Sequence, residues 1–325
     1  MNDAPAALSP TAAALCDRYL AARDRAAEAA LLEMESRLPP ADYLTALACL
    51  ADARPEARAA LEGRRAAERL AGMALQPFRL TEDAADHSHY AAPGPSRGRT
   101  HLTVFAGAAS RPGTWTPVFL QALDARRVEV LILRDRTGRH FRAGCPGLAD
   151  GLPELVAAVG ARVRAGGYAR HVAMGVSRGG GAALGFGRLA GCERAIAFGA
   201  LPRSDPLRLL AGQPMPPAFD PLCECLSHLA APLCAVFAEG NAPDAAHAAM
   251  LTALYGGTRL KVPDLSDHGV VHHVSAIGRL PELMRAVLDD PLPPGPGARP
   301  REVTFGVPEP RGWRQWLARQ VSGTR

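Results

Sequence analysis

Short, almost continuous apolar runs recur along the middle of the chain, and segments with helical spacing separate them. A run that is apolar at nearly every position is typical of a strand buried on both faces of a parallel sheet. Such strands alternating with helices through residues 100–290 predict a doubly wound, mostly parallel α/β sheet with right-handed crossovers. We expect strands within residues 101–107, 128–135, 170–177, 192–200, 231–240 and 258–265, and helices over Thr116–Arg127, Leu148–Ala165, Gly179–Ala190, Asp244–Tyr255 and Val274–Leu288.

Residues 1–75 are rich in Ala, Leu, Arg and Glu at helical spacing and predict an N-terminal helical segment. Ser9 is the candidate N-cap of the first helix, and Pro10 stands in its first turn. Pro39 and Pro40 end it, and two shorter helices should follow, through Ala41–Ala51 and Pro55–Ala71. No chemical motif lies here, so we interpret the segment as a packing or docking module through which a protein partner could bind.

Two stretches have the composition that is typical of linkers. Residues 76–99 lose all periodicity and end in Pro and Gly, and a Pro-rich stretch opens the tail of residues 291–325, which carries Trp313 and Trp316. The wide gap between predicted strands, at 201–230, would fit a cap or lid.

Composition narrows the class of protein. Of 325 residues 48% are hydrophobic and the mean hydropathy is −0.03, which supports a sizeable core and excludes a mainly disordered chain. The net charge is +5, but the Arg residues are scattered among 32 acids, so we expect no nucleic-acid partner. No apolar stretch reaches 18 residues, and no basic segment precedes an apolar run at the N-terminus. We therefore expect no membrane span, no secretory signal and a cytoplasmic location.

The sharpest motif is Gly175-Val176-Ser177-Arg178-Gly179, which joins an apolar strand to a helix of small residues. In a nucleophile elbow the serine occupies a strained turn that lifts its hydroxyl above the sheet, and the flanking glycines let backbone segments approach closely. The motif by itself occurs by chance, but here the strand and the helix are both predicted. Ser177 is the candidate nucleophile.

With these residues the chain resembles the α/β-hydrolase superfamily over residues 100–290. The resemblance implies the order nucleophile, acid, histidine, with the acid and the histidine each just past a late strand. Asp244 and His268 match those positions. The segment HGVVHHVSAIGRLPELM is also similar to the His-led terminal helix of some bacterial members associated with surface polysaccharides.

The roles follow from general chemistry. Ser177 needs a base to accept its proton, His268 titrates near neutrality, and Asp244 would fix the imidazole tautomer. The backbone N–H groups of Arg178 and, in the loop after the first strand, Ala108 would hold the oxyanion. Because parallel strands present their following loops at one edge, we expect Ser177, Asp244 and His268 to converge there, with the imidazole in hydrogen-bond reach of the serine.

Several assignments remain open at this level. Glu239 could replace Asp244 as the acid, and His272 or His273 could replace His268 as the base. Asp135 ends a predicted strand at the ligand-binding edge and is a candidate for substrate binding.

Other chemistry is not indicated. An odd number of Cys residues argues against a disulfide framework, and His87 and His89 lie in the predicted linker without a nearby carboxylate cluster, so we expect no metal and no cofactor. The sequence thus favours a serine hydrolase acting on a small-molecule acyl ester or thioester. An acyltransferase with the same triad and a sugar or other hydroxyl acceptor, and a non-catalytic scaffold that binds a protein partner, are the alternatives.

Overall fold

The structure, a computed structural model, describes residues 8–138, 141, 143–200, 232–289 and 300–306. The N-terminal segment is helical, as predicted, and Ser9 Oγ accepts the Ala12 N–H at 3.3 Å with Pro10 in first position. The predicted long first helix is two helices, separated at residues 22–23. A single 3₁₀ turn, Pro55–Ala57, precedes the fourth helix. The helices are α1 Pro10–Ala21, α2 Asp24–Arg37, α3 Pro40–Ala53, α4 Arg58–Glu62 and α5 Arg65–Leu70.

These helices pack on the body of the protein. Their apolar residues form one buried cluster that also takes in Val118 of helix α6 (Thr116–Gln121) and contacts Trp115. Polar contacts reinforce the junction, because Arg37 pairs with Asp83 and its carbonyl accepts the Tyr90 hydroxyl at 2.7 Å. Burial of this shared apolar surface stabilises the arrangement.

The expectation of a linker over 76–99 is wrong for its central part. Strand β1 (Arg79–Asp83) pairs antiparallel with β2 (His87–Ala91), and β2 pairs antiparallel with a strand of the main sheet. Hydropathy missed β2 because His87, Ser88 and His89 are polar yet buried, and their hydrogen bonds to side chains of neighbouring segments offset the cost of burial.

The main sheet has nine strands in the order β1-β2-β4-β3-β7-β8-β9-β10-β11. Every pair from β4 to β11 is parallel, and β2 runs antiparallel to both of its neighbours. The predicted doubly wound, mostly parallel α/β sheet with an N-terminal helical segment is therefore confirmed. The remaining strands are β3 Thr100–Phe105, β4 Val128–Leu133, a small hairpin of β5 Gly144–Cys145 and β6 Ala149–Asp150, then β7 Arg170–Val176, β8 Arg194–Phe198, β9 Leu233–Ala238, β10 Thr258–Val262 and β11 Arg301–Thr304.

Helices cover both faces of the sheet. On one face α6 packs with two later helices against strand residues such as Val104 and Met174. On the other face two helices pack against Phe105 and Ala173, and a third packs against Ala195 and Ala235. Adjacent strand residues thus serve opposite faces, which is why the runs are apolar throughout. These helices are α7 Leu152–Gly166, α8 Arg178–Leu189 and α9 Ala242–Tyr255 on the second face, and α10 Val270–Ala276 and α11 Leu280–Asp289 on the first.

Two predicted boundaries change. The helix expected over Val274–Leu288 is α10 and α11, interrupted where Gly278 takes a φ of +76°. The C-terminal tail contributes β11, which pairs in parallel with β10 because its short extended segment finds an open sheet edge there. Trp313, Trp316 and the 201–230 excursion lie outside the described residues.

Among the helices in the described ranges, none combines the length and the apolar character needed to cross a membrane.

Candidate active site

Ser177 lies at the turn between β7 and α8, where the nucleophile was predicted. Its backbone has φ +55° and ψ −122°, a conformation that non-glycine residues rarely adopt. The turn is held by two hydrogen bonds, from the Ser177 N–H to the Phe198 carbonyl (2.8 Å) and from the Gly180 N–H to the Ser177 carbonyl (2.9 Å). A strained serine between a strand and a helix is the geometry expected of a nucleophile elbow.

The two glycines of the motif are required by close backbone approach. A Cβ on Gly175 would collide with the Gly179 carbonyl, and a Cβ on Gly179 would collide with the Phe105 carbonyl of β3. Helix α8 therefore starts in direct contact with the central strands, and any larger residue at either position would push it away.

Asp244 lies in the first turn of α9, just past β9. The Asn241 side chain caps this helix by accepting the Asp244 N–H at 3.1 Å. The Asp244 side chain is only 2% exposed, and each of its carboxylate oxygens lies 2.9 Å from Nδ1 of His268. The helix N-terminus favours the negative charge at this buried position.

His268 follows β10 in a loop that is fastened to the end of β9. The Gly240 N–H donates to the Leu265 carbonyl at 2.8 Å, and a Cβ on Gly240 would stand only 3.0 Å from that oxygen. The hydrogen bond to Asp244 raises the pKa of His268 above its ordinary value. With Nδ1 engaged by the carboxylate, Nε2 is the nitrogen left for chemistry.

The imidazole lies beside the serine turn. A Cβ on Gly199 would come within 2.7 Å of His268 Cε1 and 2.9 Å of its Nδ1, so the ring lies against the backbone just past β8. The preceding residue, Phe198, accepts the Ser177 N–H. Ser177 and His268 therefore flank the same strand end. Sequence reasoning missed Gly199 and Gly240, although each is a glycine directly after an apolar strand.

The expected hydrogen bond between Ser177 and the imidazole is not formed. Nε2 of His268 is shielded from solvent and has no hydrogen-bond partner among the described residues. Catalytic hydrogen bonds are often long or poorly aligned in free enzymes and tighten with substrate. The structure thus forms the expected Asp244–His268 pair but not the expected Ser177–His268 hydrogen bond.

The alternative residues lie elsewhere. Glu239 is exposed and pairs with Lys261 at 2.8 Å, and not with His268. His272 is exposed and packs edge-on against Trp115, with ring centroids 5.3 Å apart, and His273 lies one residue further along α10.

The loop after β3 runs past the serine. A Cβ on Gly107 would lie 3.3 Å from the Val176 carbonyl and 3.9 Å from Ser177 Cβ. The guanidinium of Arg178 donates to the carbonyl of Ala108 at 3.0 Å, so it is engaged with this loop. As the first residue of α8, Arg178 has a backbone N–H with no acceptor inside the helix.

Asp135 stands after β4, and its carboxylate organises its own loop. One oxygen accepts the N–H and the hydroxyl of Thr137 at 3.0 and 2.7 Å, and the other accepts the Phe141 N–H at 3.3 Å. Its role in substrate binding stays a prediction.

The reason for expecting no metal is wrong, because His87 has carboxylates on both sides. Its Nδ1 lies 3.0 Å from Asp86 Oδ1, and its Nε2 lies 2.9 Å from Glu82 Oε1. Both acids stand within five residues of His87 in the sequence, but Glu82 reaches His87 only because β1 and β2 form an antiparallel pair.

In comparison with known proteins, no family model and no curated protein matches this sequence. Solved structures do match. A hormone-sensitive lipase from a metagenome library is 15% identical, covers 77% of this chain and 98% of its own, and has a TM-score of 0.46. Dienelactone hydrolase from Anabaena variabilis is 14% identical, covers 65% of this chain and 97% of its own, and has a TM-score of 0.44. An inhibited esterase B from Lactobacillus rhamnosis is 14% identical, covers 74% of this chain and 96% of its own, and has a TM-score of 0.40.

A structure from Xanthomonas campestris named as an α/β serine hydrolase, and one from Coxiella burnetii named as a homologue of such an enzyme, are also similar to this chain. Three features of this chain define its fold: the strand order, the single antiparallel strand β2 and the strained serine turn between β7 and α8. The protein has an α/β-hydrolase fold.

Proposed function

We propose that the protein is a serine hydrolase that cleaves an ester or thioester through an acyl-enzyme on Ser177. The observation that carries this proposal is the Asp244–His268 pair lying against Gly199, beside the strand end that the Ser177 turn also contacts. An acid on Nδ1 of the imidazole and a serine in a strained turn by the same strand end are among the parts that acyl transfer to serine requires.

In the acylation step, Ser177 Oγ attacks the carbonyl carbon of the substrate while Nε2 of His268 accepts the hydroxyl proton. Asp244 stabilises the imidazolium that results and keeps the ring in the productive tautomer. The carbonyl oxygen becomes an oxyanion, for which the Arg178 and Ala108 N–H groups are the proposed donors. Collapse of this intermediate breaks the bond to the alcohol or thiol, which leaves with the proton from Nε2.

In the deacylation step, water takes the place of the alcohol or thiol. His268 removes a proton from the water as its oxygen attacks the acyl carbon, and the proton returns to Ser177 Oγ as the acid product leaves. The guanidinium bond from Arg178 to the Ala108 carbonyl supports this scheme, because it ties the two proposed oxyanion donors together.

A fluorophosphonate probe tests the nucleophile. We expect it to label the wild-type protein and to leave Ser177→Ala unlabelled. Ser266→Ala is the matched control, because Ser266 is an exposed serine in the loop that carries His268, and this variant should label like the wild type. Unchanged labelling of Ser177→Ala would refute the proposal, and so would a wild-type protein that neither reacts with the probe nor hydrolyses a panel of acyl esters and thioesters.

A further inference from the structure

A cluster of mixed donor atoms lies at the edge of the sheet, away from the serine turn. Asp86 ends the β1–β2 turn, His87 begins β2, and Cys145 lies on β5, and all three are buried. One donor atom from each residue lies within 4.8 Å of those of the other two. Asp86 Oδ1 and His87 Nδ1 are 3.0 Å apart. Two ligands about 2 Å from one tetrahedral zinc ion are separated by about 3.3 Å, which is close to this spacing.

We propose that Asp86, His87 and Cys145 bind a zinc ion through Oδ1, Nδ1 and Sγ. A set of one carboxylate oxygen, one imidazole nitrogen and one thiolate sulfur suits zinc, whereas magnesium and calcium prefer oxygen alone. This site is independent of the proposed hydrolase chemistry and shares no residue with it.

The surroundings of His87 are those of a metal ligand. Glu82 Oε1 lies 2.9 Å from Nε2, so the imidazole proton can reside there and leave the Nδ1 lone pair for the ion. Arg162 pairs with the other oxygen of Glu82 and balances its charge. A carboxylate on the far nitrogen of a metal-bound histidine orients the ring and increases its basicity.

Asp86 is oriented in the same way. The Gly147 N–H donates to Oδ2, which turns Oδ1 toward His87. A Cβ at position 147 would stand 2.5 Å from Oδ1, so this approach requires glycine.

The binding step balances in protons and charge. Without the ion, the Cys145 thiol donates to the Asp86 carbonyl at 3.2 Å. Zinc displaces the thiol proton to solvent and forms the Zn–S bond, and the thiolate and the Asp86 carboxylate together neutralise its two positive charges.

The ion would connect two pieces of chain that are distant in sequence, the β1–β2 turn and the β5–β6 hairpin. The Asp86 carbonyl also accepts the Arg134 N–H at 2.7 Å, just past β4. The bound ion would therefore fasten the sheet edge to the segment that follows β4, with the fourth tetrahedral position open to water.

Cobalt titration of the full-length, metal-stripped protein tests the site. We expect one equivalent of Co²⁺ to produce the near-ultraviolet band of a thiolate-to-cobalt charge transfer, and zinc to abolish it. Cys145→Ser should lose this band. Cys192→Ser is the matched control, because Cys192 is also a buried free thiol but lies after α8, and it should keep the band.

Thermal unfolding with and without zinc is the second measurement. Zinc should raise the Tm of the wild type and of Ser177→Ala, but not that of Cys145→Ser. Glu82→Gln should weaken zinc binding by about 10- to 100-fold, as expected of an outer partner. Absence of stoichiometric cobalt binding by the wild type, or a charge-transfer band that survives in Cys145→Ser, would overturn the assignment. Both results leave the hydrolase proposal unaffected, since its probe reports on Ser177.

Discussion

At the scale of single residues, the imidazole of His268 is controlled by two neighbours, the Asp244 carboxylate and the Gly199 backbone. The carboxylate sets the protonation of the ring and the glycine leaves room for it. Each neighbour can be changed separately, so the electrostatic and the steric contributions can be measured apart.

Asp244→Asn should change both the rate and its pH dependence. The hydrogen bond to Asp244 raises the pKa of His268, so the charged, inactive imidazolium of the wild type persists to higher pH. Without the carboxylate the acid limb of kcat/KM should move to lower pH, and kcat should fall by on the order of 10³- to 10⁴-fold. Glu239→Gln, which removes the neighbouring acid paired with Lys261, should alter neither; an equal effect of that variant would contradict the assignment of Asp244.

Gly199→Ala should inactivate the protein by displacing the imidazole. The new Cβ would stand 2.7 Å from His268 Cε1, and a displacement of about 1 Å can cost about 100-fold in rate. Gly191→Ala is the matched control, since its φ of +62° resembles the +51° of Gly199 while nothing lies within 4 Å of the added Cβ. Both variants should lose about 1–2 kcal/mol of stability from backbone strain, but only Gly199→Ala should lose activity. Equal activities would show that the ring does not depend on this contact.

At the scale of elements, helix α2 supports the loop that carries the proposed oxyanion donor. Arg111 donates from Nε to Ser36 Oγ at 2.9 Å, and its own carbonyl accepts the Gly107 N–H at 3.1 Å. Ser36 in turn accepts the Thr116 hydroxyl through its carbonyl at 2.8 Å. The N-terminal helices thus hold Arg111, whose carbonyl binds Gly107, the residue before Ala108.

Arg111→Ala should therefore lower kcat by about tenfold, with a smaller change in KM, because a loosened loop weakens oxyanion binding in the transition state. Arg54→Ala is the control. Arg54 joins α3 to the end of α1 through the Leu20 carbonyl and does not contact the loop, so it should affect stability and leave kcat unchanged. The kcat values of the two variants, measured at temperatures where both are folded, show whether the Arg111 contact affects catalysis directly. A drop of similar size in Arg54→Ala would mean that the helices act only through stability.

At the scale of the whole molecule, three histidine rings from three different strands lie close together. They are His89 of β2, His101 of β3 and His171 of β7. His101 lies between the other two, with its ring centroid 6.2 Å from that of His89 and 5.3 Å from that of His171. Burial lowers the pKa of His89 and of His171 to about 4, and that of His101 well below its ordinary value. The folded protein therefore keeps these rings neutral where the unfolded chain protonates them.

This cluster predicts acid-sensitive stability. Between the unfolded pKa of about 6.5 and the folded values near 4, the unfolded state binds more protons, so the free energy of unfolding should fall as the pH falls through this window. Above about pH 6.5 the cluster should contribute no pH dependence. His171→Gln should reduce the slope by about 1.4 kcal/mol per pH unit, the contribution of one proton, whereas the exposed His272→Gln should not. Urea unfolding at a series of pH values measures the slope for the wild type and for each variant. A slope for His171→Gln equal to that of the wild type would show that His171 does not contribute to the acid sensitivity.

Much of the fold and part of the candidate site could be predicted from local pattern. Continuous apolar runs identified six of the strands, because a strand covered on both faces must be apolar along its length. The glycines around Ser177 identified the strained turn, because few other residues allow so close a crossing of backbones. The resemblance to the α/β-hydrolase superfamily then implied the acid and the histidine, because Asp244 and His268 each stand just past a late strand, where the family order requires them.

Only the tertiary structure decided which distant side chains meet. The strand β2 is polar in sequence and buried in the fold, because its histidines bond to Glu82 and Thr81 of the paired strand β1. The contact of Arg111 with Ser36 and the approach of Cys145 to His87 join segments far apart in the chain. Periodicity records how each segment divides its surface between core and solvent, but it contains no information on register or on the partner of a polar group. Those are set when the whole chain packs.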